Sequence, residues 1–173
     1  MFFKKKASIS EMAIVLCEMT LSGSYSSMVE QTDHVREKSL HNFKDTVPKK
    51  AAIVEFMVLQ MFATTTVIRE KFDDEISTQV LNAFHDCVAM RLLKTKQDIV
   101  AFHSHLNERY ENYFDALKNQ AGGGPMWHLG RVLMKNAFGD NPGDLKGPIL
   151  GASLFAEWRK AVAALVADYK VTS

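Results

Sequence analysis

The chain has 173 residues, of which 47% are hydrophobic and 24% charged, and its formal net charge is +1. This length fits one domain, residues 1–173, that buries most of its apolar surface, and the composition is that of an ordinary globular protein. Because the charges balance, neither nucleic acid as a partner nor a solvating acidic tail is expected.

The first seven residues carry two aromatic side chains and three lysines, and they predict a flexible basic tail. Residues 2–6 could touch an anionic bilayer, but one short patch gives marginal affinity, so membrane contact is not favoured. The apolar run after Glu11 has about six residues, fewer than the roughly 7–15 of a signal peptide. We therefore expect a cytoplasmic protein, with Cys17 and Cys87 as buried reduced thiols.

Two helices are predicted before residue 47. Ser8 and Glu11 have the spacing of a capping box, and the first helix then runs to about Leu21 and stops at Gly23. A second, polar helix over about residues 26–46 should lie outside the core. One face of this helix carries three side chains at a spacing that could hold a metal ion: His34, Glu37 and His41. Such polar faces are more often solvated.

The most apolar stretch of the chain covers residues 51–63, in which only Glu55 and Gln60 are not apolar. A run that is apolar on nearly every face predicts a helix enclosed by other helices, here over about residues 48–72. It is too short and too polar for a membrane span, which needs about 20 mostly apolar residues. The three consecutive threonines at 64–66 predict a bend or a break in this helix.

The rest of the chain predicts further helices and no strand. An acidic residue at 73 or 74 can cap one helix, and Thr95 predicts a tight joint before the next. That next helix has the clearest periodicity, with apolar side chains stepping by 3 or 4: Ile99, Phe102, Leu106, Tyr110, Tyr113 and Leu117. Pro125 begins another helix after three glycines, and the last helix spans about residues 149–170. The fold class predicted is all-α: a compact single-domain bundle of six or seven helices around the central apolar helix.

Glu55 is the most informative polar position, because its neighbours on the helix surface are all apolar. A buried carboxylate needs a partner or must take up a proton. We expect a structural ion pair or hydrogen bond with an Arg, Lys or Tyr of another helix. A rim position in contact with water and a functional carboxylate are the alternatives.

Two histidines, His85 and His103, lie on apolar helix faces, where histidines are usually hydrogen-bonded core residues. Together with Glu55 they are the candidate ligand-binding residues. No Glu-x-x-His occurs in the chain, so a ferritin-like di-metal site is not favoured. The sequence also lacks a nucleophile elbow, a zinc helix motif, a dinucleotide fingerprint and a P-loop, and no cofactor is predicted.

The leading hypothesis is a non-enzymatic helical protein that binds another protein or a second copy of itself, as an adaptor, regulator or inhibitor. Its eleven Phe and nine Met residues are side chains that make adaptable helix–helix surfaces. One alternative is a binder of an apolar small molecule in the Met- and Phe-rich core. The other is a metal-dependent or acid/base enzyme that uses Glu55 with His85 or His103.

Overall fold

The computed structural model describes residues 4–22, 49–139 and 146–172. Within them it contains six helices and two short strands, in chain order: β1 (Lys5–Ser8), α1 (Ile9–Ser22), α2 (Lys49–Lys71), α3 (Asp74–Leu92), α4 (Lys96–Lys118), α5 (Gly124–Phe138), α6 (Lys146–Ala167) and β2 (Tyr169–Thr172). The predicted helical bundle is therefore confirmed. Several predicted features lie outside the described residues: the polar helix at 26–46 with His34, Glu37 and His41, residues 1–3, Gly23 and Pro48.

Helix α2 is the centre of the bundle, as predicted, and it contacts each of the other five described helices. Between Phe56 and Ile68, every side chain except that of Gln60 is buried. By length and composition, Ala52–Lys71 is the one stretch of the described residues that could cross a membrane, and 78% of its apolar window is buried inside the bundle. Such burial is typical of a core helix in a soluble protein.

The threonine run does not break α2, so that part of the prediction is wrong. Each hydroxyl donates a hydrogen bond to a carbonyl oxygen of the preceding turn, at 2.8–2.9 Å: Thr64 to Gln60, Thr65 to Met61 and Thr66 to Ala63. All three side chains are buried. Because the helix itself satisfies the hydroxyl groups and its neighbours enclose it, tertiary packing outweighs the weak helix propensity of threonine.

The predicted caps and the joint between α3 and α4 are confirmed. Ser8 N donates to Glu11 Oε2 at 2.7 Å, and Glu11 N donates to Ser8 Oγ at 3.2 Å, which closes the capping box at α1. The backbone N–H group of Ser8, and then its hydroxyl group, lower the pKa of the Glu11 carboxyl group. Thr95 caps α4 by accepting a hydrogen bond from Asp98 N at 3.1 Å.

A small parallel sheet joins the two ends of the described chain, where no strand was predicted. Lys5–Ser8 pair with Tyr169–Thr172, and the inward side chains Ala7 and Val171 are buried. The predicted basic tail is therefore wrong for residues 5–7, and the last helix stops at Ala167. A strand of four residues is too short for its alternating pattern to be recognised in the sequence. The strand with which it pairs lies at the other end of the sequence.

Helices α5 and α6 cross closely at two glycines. A Cβ atom on Gly151 would lie 2.9 Å from Leu133 Cδ2 and 3.1 Å from Gly130 Cα, and one on Gly130 would overlap the carbonyl group of Pro148. Only glycine leaves room for the two backbones to approach this closely at these positions. This crossing holds α5 in place, with its other face towards α4.

Candidate functional site

Two groups of polar side chains lie between α2 and α4, and they include two of the predicted candidates. The Glu55 cluster consists of Glu55, His105, Arg109, Tyr113 and Asn136. The His85 cluster consists of Thr65, His85 and Tyr110. The ring of Phe62 lies between the clusters, with its centroid 5.3 Å from that of Tyr110 and 5.2 Å from that of Tyr113.

The carboxylate of Glu55 is buried and has a cationic partner. Arg109 Nε donates to Glu55 Oε1 at 2.8 Å, and His105 Nε2 lies 3.3 Å from the same oxygen. The Glu55 side chain is 5% exposed, against 19% for Arg109. His105 and Arg109 are four residues apart and share one face of α4. The partner that the sequence required for Glu55 is thus a guanidinium group 54 residues further along the chain.

The inner side of this cluster contains three buried atoms without a hydrogen-bond partner among the described residues: Glu55 Oε2, Tyr113 Oη and Asn136 Nδ2. The Asn136 side chain lies beside the Tyr113 hydroxyl group. Burial, assisted by the negative charge of Glu55, raises the pKa of Tyr113, so the phenol stays protonated. Glu55 Oε2 is therefore the acceptor that the described residues leave unsatisfied, whereas the Tyr113 hydroxyl and the Asn136 amide lie beside each other and influence each other.

The His85 cluster joins three helices through uncharged groups. His85 Nε2 lies 3.0 Å from the Tyr110 hydroxyl oxygen. Thr65 Oγ1 lies 3.4 Å from that oxygen and 3.5 Å from His85 Nε2. Because Thr65 also bonds to the Met61 carbonyl oxygen, the cluster is anchored to the backbone of α2.

Burial keeps both titratable members of the His85 cluster neutral. It lowers the pKa of His85 to about 4, and the nearby His103 and Arg69 act in the same direction. Burial likewise raises the pKa of Tyr110. At neutral pH the imidazole and the phenol are both uncharged, which suits a structural hydrogen bond better than proton transfer near pH 7.

The third candidate, His103, lies at the rim of the bundle. Its Nε2 is 3.2 Å from Asp86 Oδ1, and its side chain is 35% exposed. The structure brings His103 close to His85 but places Glu55 in the other cluster, with His105 and Arg109. Sequence reasoning missed Arg109, Thr65 and the hydroxyl of Tyr110. The tyrosine could have been found, because a buried tyrosine usually needs a partner for its hydroxyl group.

The two cysteines are free and lie side by side between α1 and α3. Cys17 is buried and Cys87 is partly buried. Burial, with a contribution from the neighbouring Cys87 thiol, raises the pKa of Cys17 to about 12. Cys17 is therefore an inert thiol at neutral pH, as expected for a core cysteine. In the part of the chain that the structure describes, no group of three or more His, Cys, Asp or Glu side chains could hold a metal ion.

Comparison with known proteins gives no family assignment. No protein-family model matches the chain, and neither curated proteins nor solved structures include a significant match. Function is therefore inferred from the arrangement of the residues themselves.

Proposed function

We propose that this chain is a non-enzymatic cytoplasmic protein that acts by binding another protein. Each candidate side chain has a structural partner: Arg109 for Glu55, Tyr110 for His85 and Asp86 for His103. These contacts join α2, α3 and α4 and leave the surface of the bundle for recognition. Recognition is therefore expected at the exposed apolar side chains.

The observation that carries the proposal is a group of exposed apolar side chains where α3 ends and α4 begins. We call it the joint surface: Met90, Leu92 and Val100, which are 65%, 45% and 66% exposed. Met90 and Leu92 are in the last turn of α3 and Val100 is near the start of α4, so all three lie at one end of the bundle. We infer that the three side chains belong to one recognition surface, because apolar patches at the surface mark interaction sites whereas single exposed apolar side chains are ordinary.

Lysines surround the joint surface and indicate what kind of partner it suits. Lys94 and Lys96 lie in and just after the joint, and both are exposed. Arg91, the neighbouring cation, is held by Glu18 of α1 at 2.5 Å. Asp98 of the same turn accepts a hydrogen bond from Thr95 Oγ1, so the exposed lysines favour a partner whose apolar contact residues are flanked by Asp or Glu.

The test compares two sets of glutamine substitutions in cells that make the chain naturally. One variant carries Met90→Gln, Leu92→Gln and Val100→Gln. The matched control carries Ile14→Gln and Ile149→Gln, which replace side chains that are 48% and 58% exposed elsewhere. We expect the joint variant to lose proteins that are crosslinked to the wild-type chain, and the control variant to retain them. Light scattering of the pure protein shows whether a second copy is the partner.

Each substitution should change the free energy of unfolding by no more than about 0.5 kcal/mol, because exposed side chains away from special features contribute little to stability. Loss of the same crosslinked proteins from both variants would contradict the proposal, because binding would then not depend on the joint surface. The proposal would also be contradicted if the joint variant retained every crosslinked protein and the oligomeric state of the wild-type chain.

A further inference from the structure

The two thiols of the chain lie where α1 packs against α3. Helix α1 packs more extensively against α3 than against any other described helix, and the Cys17 and Cys87 thiols are in hydrogen-bonding contact across this interface. One turn earlier on each helix stands an alanine, Ala13 on α1 and Ala83 on α3, and both pack in or against the core. Small side chains let two helix backbones approach closely, and a disulfide bond between helices requires such an approach.

An ion pair lies beside the two thiols. Glu18 directly follows Cys17, and Arg91 follows Cys87 by four residues, so Arg91 and Cys87 share one face of α3. Arg91 Nη1 donates to Glu18 Oε1 at 2.5 Å, and the guanidinium group also interacts electrostatically with both thiols. The segments that carry the two cysteines are therefore joined by a second contact, independent of the sulfur atoms.

The two thiols differ in how far a reagent in solution can reach them. Cys17 is fully buried, whereas Cys87 is only partly buried. Burial raises the pKa of Cys17 to about 12, so Cys17 remains a protonated thiol at neutral pH. Because oxidation of cysteine follows exposure and thiolate character, an oxidant in solution reacts with Cys87 first.

We propose that Cys87 is an oxidation site for hydroperoxides and that Cys17 is its resolving thiol, which closes a reversible disulfide bond between α1 and α3. Cys17 is inert towards the oxidant itself and acts only on the oxidised sulfur beside it. A disulfide that forms and is reduced again is the usual kind in a reducing compartment, and exchange with a cellular dithiol restores the two thiols. The proposal does not depend on partner binding at the joint surface, so either can fail alone.

The reaction has two steps. The Cys87 thiolate attacks one oxygen of hydrogen peroxide, the O–O bond breaks, and the leaving hydroxide takes up the proton that the thiol released. Cys87 is then a sulfenic acid. The Cys17 sulfur next attacks the Cys87 sulfur, the S–O bond breaks, and the leaving hydroxide takes up the Cys17 proton. Two thiols have lost two electrons, and one peroxide has been reduced to two water molecules.

The position of both cysteines near helix ends favours the closing step. The sulfur atoms must move to the bonded distance of about 2.05 Å. Helix α1 ends at Ser22 and α3 at Leu92, each less than two turns after its cysteine. The backbone near a helix end adjusts more readily than the middle of a helix, so the bond can form without disrupting the bundle.

The test treats the pure full chain with hydrogen peroxide and maps its tryptic peptides without reductant. Because the chain has two cysteines, a disulfide within one chain must join peptide 7–36 to peptide 72–91. We expect these peptides to be linked in a protein that still migrates as a monomer, and dithiothreitol to separate them. Disulfides that occur only between two chains would overturn the proposal. So would thiols that both stay reduced at a peroxide concentration that oxidises free cysteine.

Two alanine variants assign the separate roles of the thiols. In Cys17→Ala, Cys87 should accumulate as a sulfenic acid that dimedone traps. In Cys87→Ala, Cys17 should react with peroxide at least about tenfold more slowly than Cys87 does in the wild-type chain, because it is buried and protonated. Equal rates would contradict the assignment, as would a wild-type Cys87 that proceeds to the sulfinic acid without joining Cys17. Thermal unfolding checks that both variants fold, and the wild-type peptide map decides the proposal if one does not.

Discussion

The two polar clusters between α2 and α4 differ in how they carry charge. In the Glu55 cluster a buried carboxylate is neutralised by the Arg109 guanidinium group at 2.8 Å. In the His85 cluster, burial lowers the pKa of the imidazole to about 4, and the contacts are made between neutral groups. One cluster depends on an ion pair and the other on the absence of charge. They should therefore respond differently to mutation and to pH.

The largest expected effect comes from Arg109→Met, which removes the guanidinium group and leaves the buried Glu55 carboxylate with only His105 beside it. Breaking a buried pair by removing one partner costs about 3–5 kcal/mol, and we expect a loss near the lower end because Arg109 is 19% exposed. Glu55→Ala should also destabilise the fold, and Glu55→Gln less, because the amide keeps the shape of the side chain. The measurement is urea denaturation at pH 7.

A rescue variant shows whether the cost is that of an unpaired charge. Glu55→Leu combined with Arg109→Met removes both charges and should recover much of the stability lost in Arg109→Met alone. If Arg109→Met unfolds at the wild-type urea concentration, the ion pair does not stabilise the fold, and the contrast between the two clusters fails.

Lower pH should weaken the His85 cluster. The pKa of His85 is about 4 in the folded protein, against 6.5 for an unperturbed histidine. The unfolded chain therefore binds more protons between these values, and the free energy of unfolding falls as the pH drops from about 6.5 to 4. The upper limit of the loss is about 3 kcal/mol, reduced in practice because the ring is only partly buried.

Urea denaturation across this pH range measures the effect, with His85→Gln as the control. Other titrating groups contribute equally to both proteins, so the difference between the two pH profiles isolates His85. Parallel profiles would show that His85 has a similar pKa in the folded and unfolded chains, and that the cluster tolerates a charge.

The smallest expected effects distinguish the two tyrosines. Tyr110→Phe removes a hydroxyl group that lies 3.0 Å from His85 Nε2, and the loss of one hydrogen bond costs about 1 kcal/mol. Tyr113→Phe removes a buried hydroxyl group that has no partner among the described residues, so it should be neutral or slightly stabilising. Denaturation of the two variants side by side gives the comparison, and equal losses would show that Tyr113 also has a bonding partner.

The sequence predicted the elements of this fold better than the contacts between them. The apolar run of α2 and the periodic stripe of α4 are local patterns, and both helices occur where they were expected. The pairing of β1 with β2 and the contact of Glu55 with Arg109 join residues that are far apart in the chain. No local period carries that information, although the need for a partner at Glu55 could be deduced from its apolar neighbours.

The candidate site, too, could be predicted only in part, because its contacts join residues that are far apart in the chain. Glu55 and His85 were recognised as unusual because their helical neighbours are apolar. Their separation into two clusters depends on how α2, α3 and α4 are rotated against one another, which side-chain packing decides. The threonine run shows the reverse case, in which a local pattern misled. Its propensity favours a break, but the packing of other helices around α2 outweighed that propensity.

The central claim is that Glu55 is a structural carboxylate whose partner is Arg109. A double-mutant cycle tests it most directly, with Glu55→Gln, Arg109→Gln and the double variant compared by urea denaturation at pH 7. Because the two side chains are in contact and mostly buried, we predict a coupling free energy of at least about 1.5 kcal/mol. Additive effects, with a coupling free energy near zero, would contradict the claim and return Glu55 to the functional candidates.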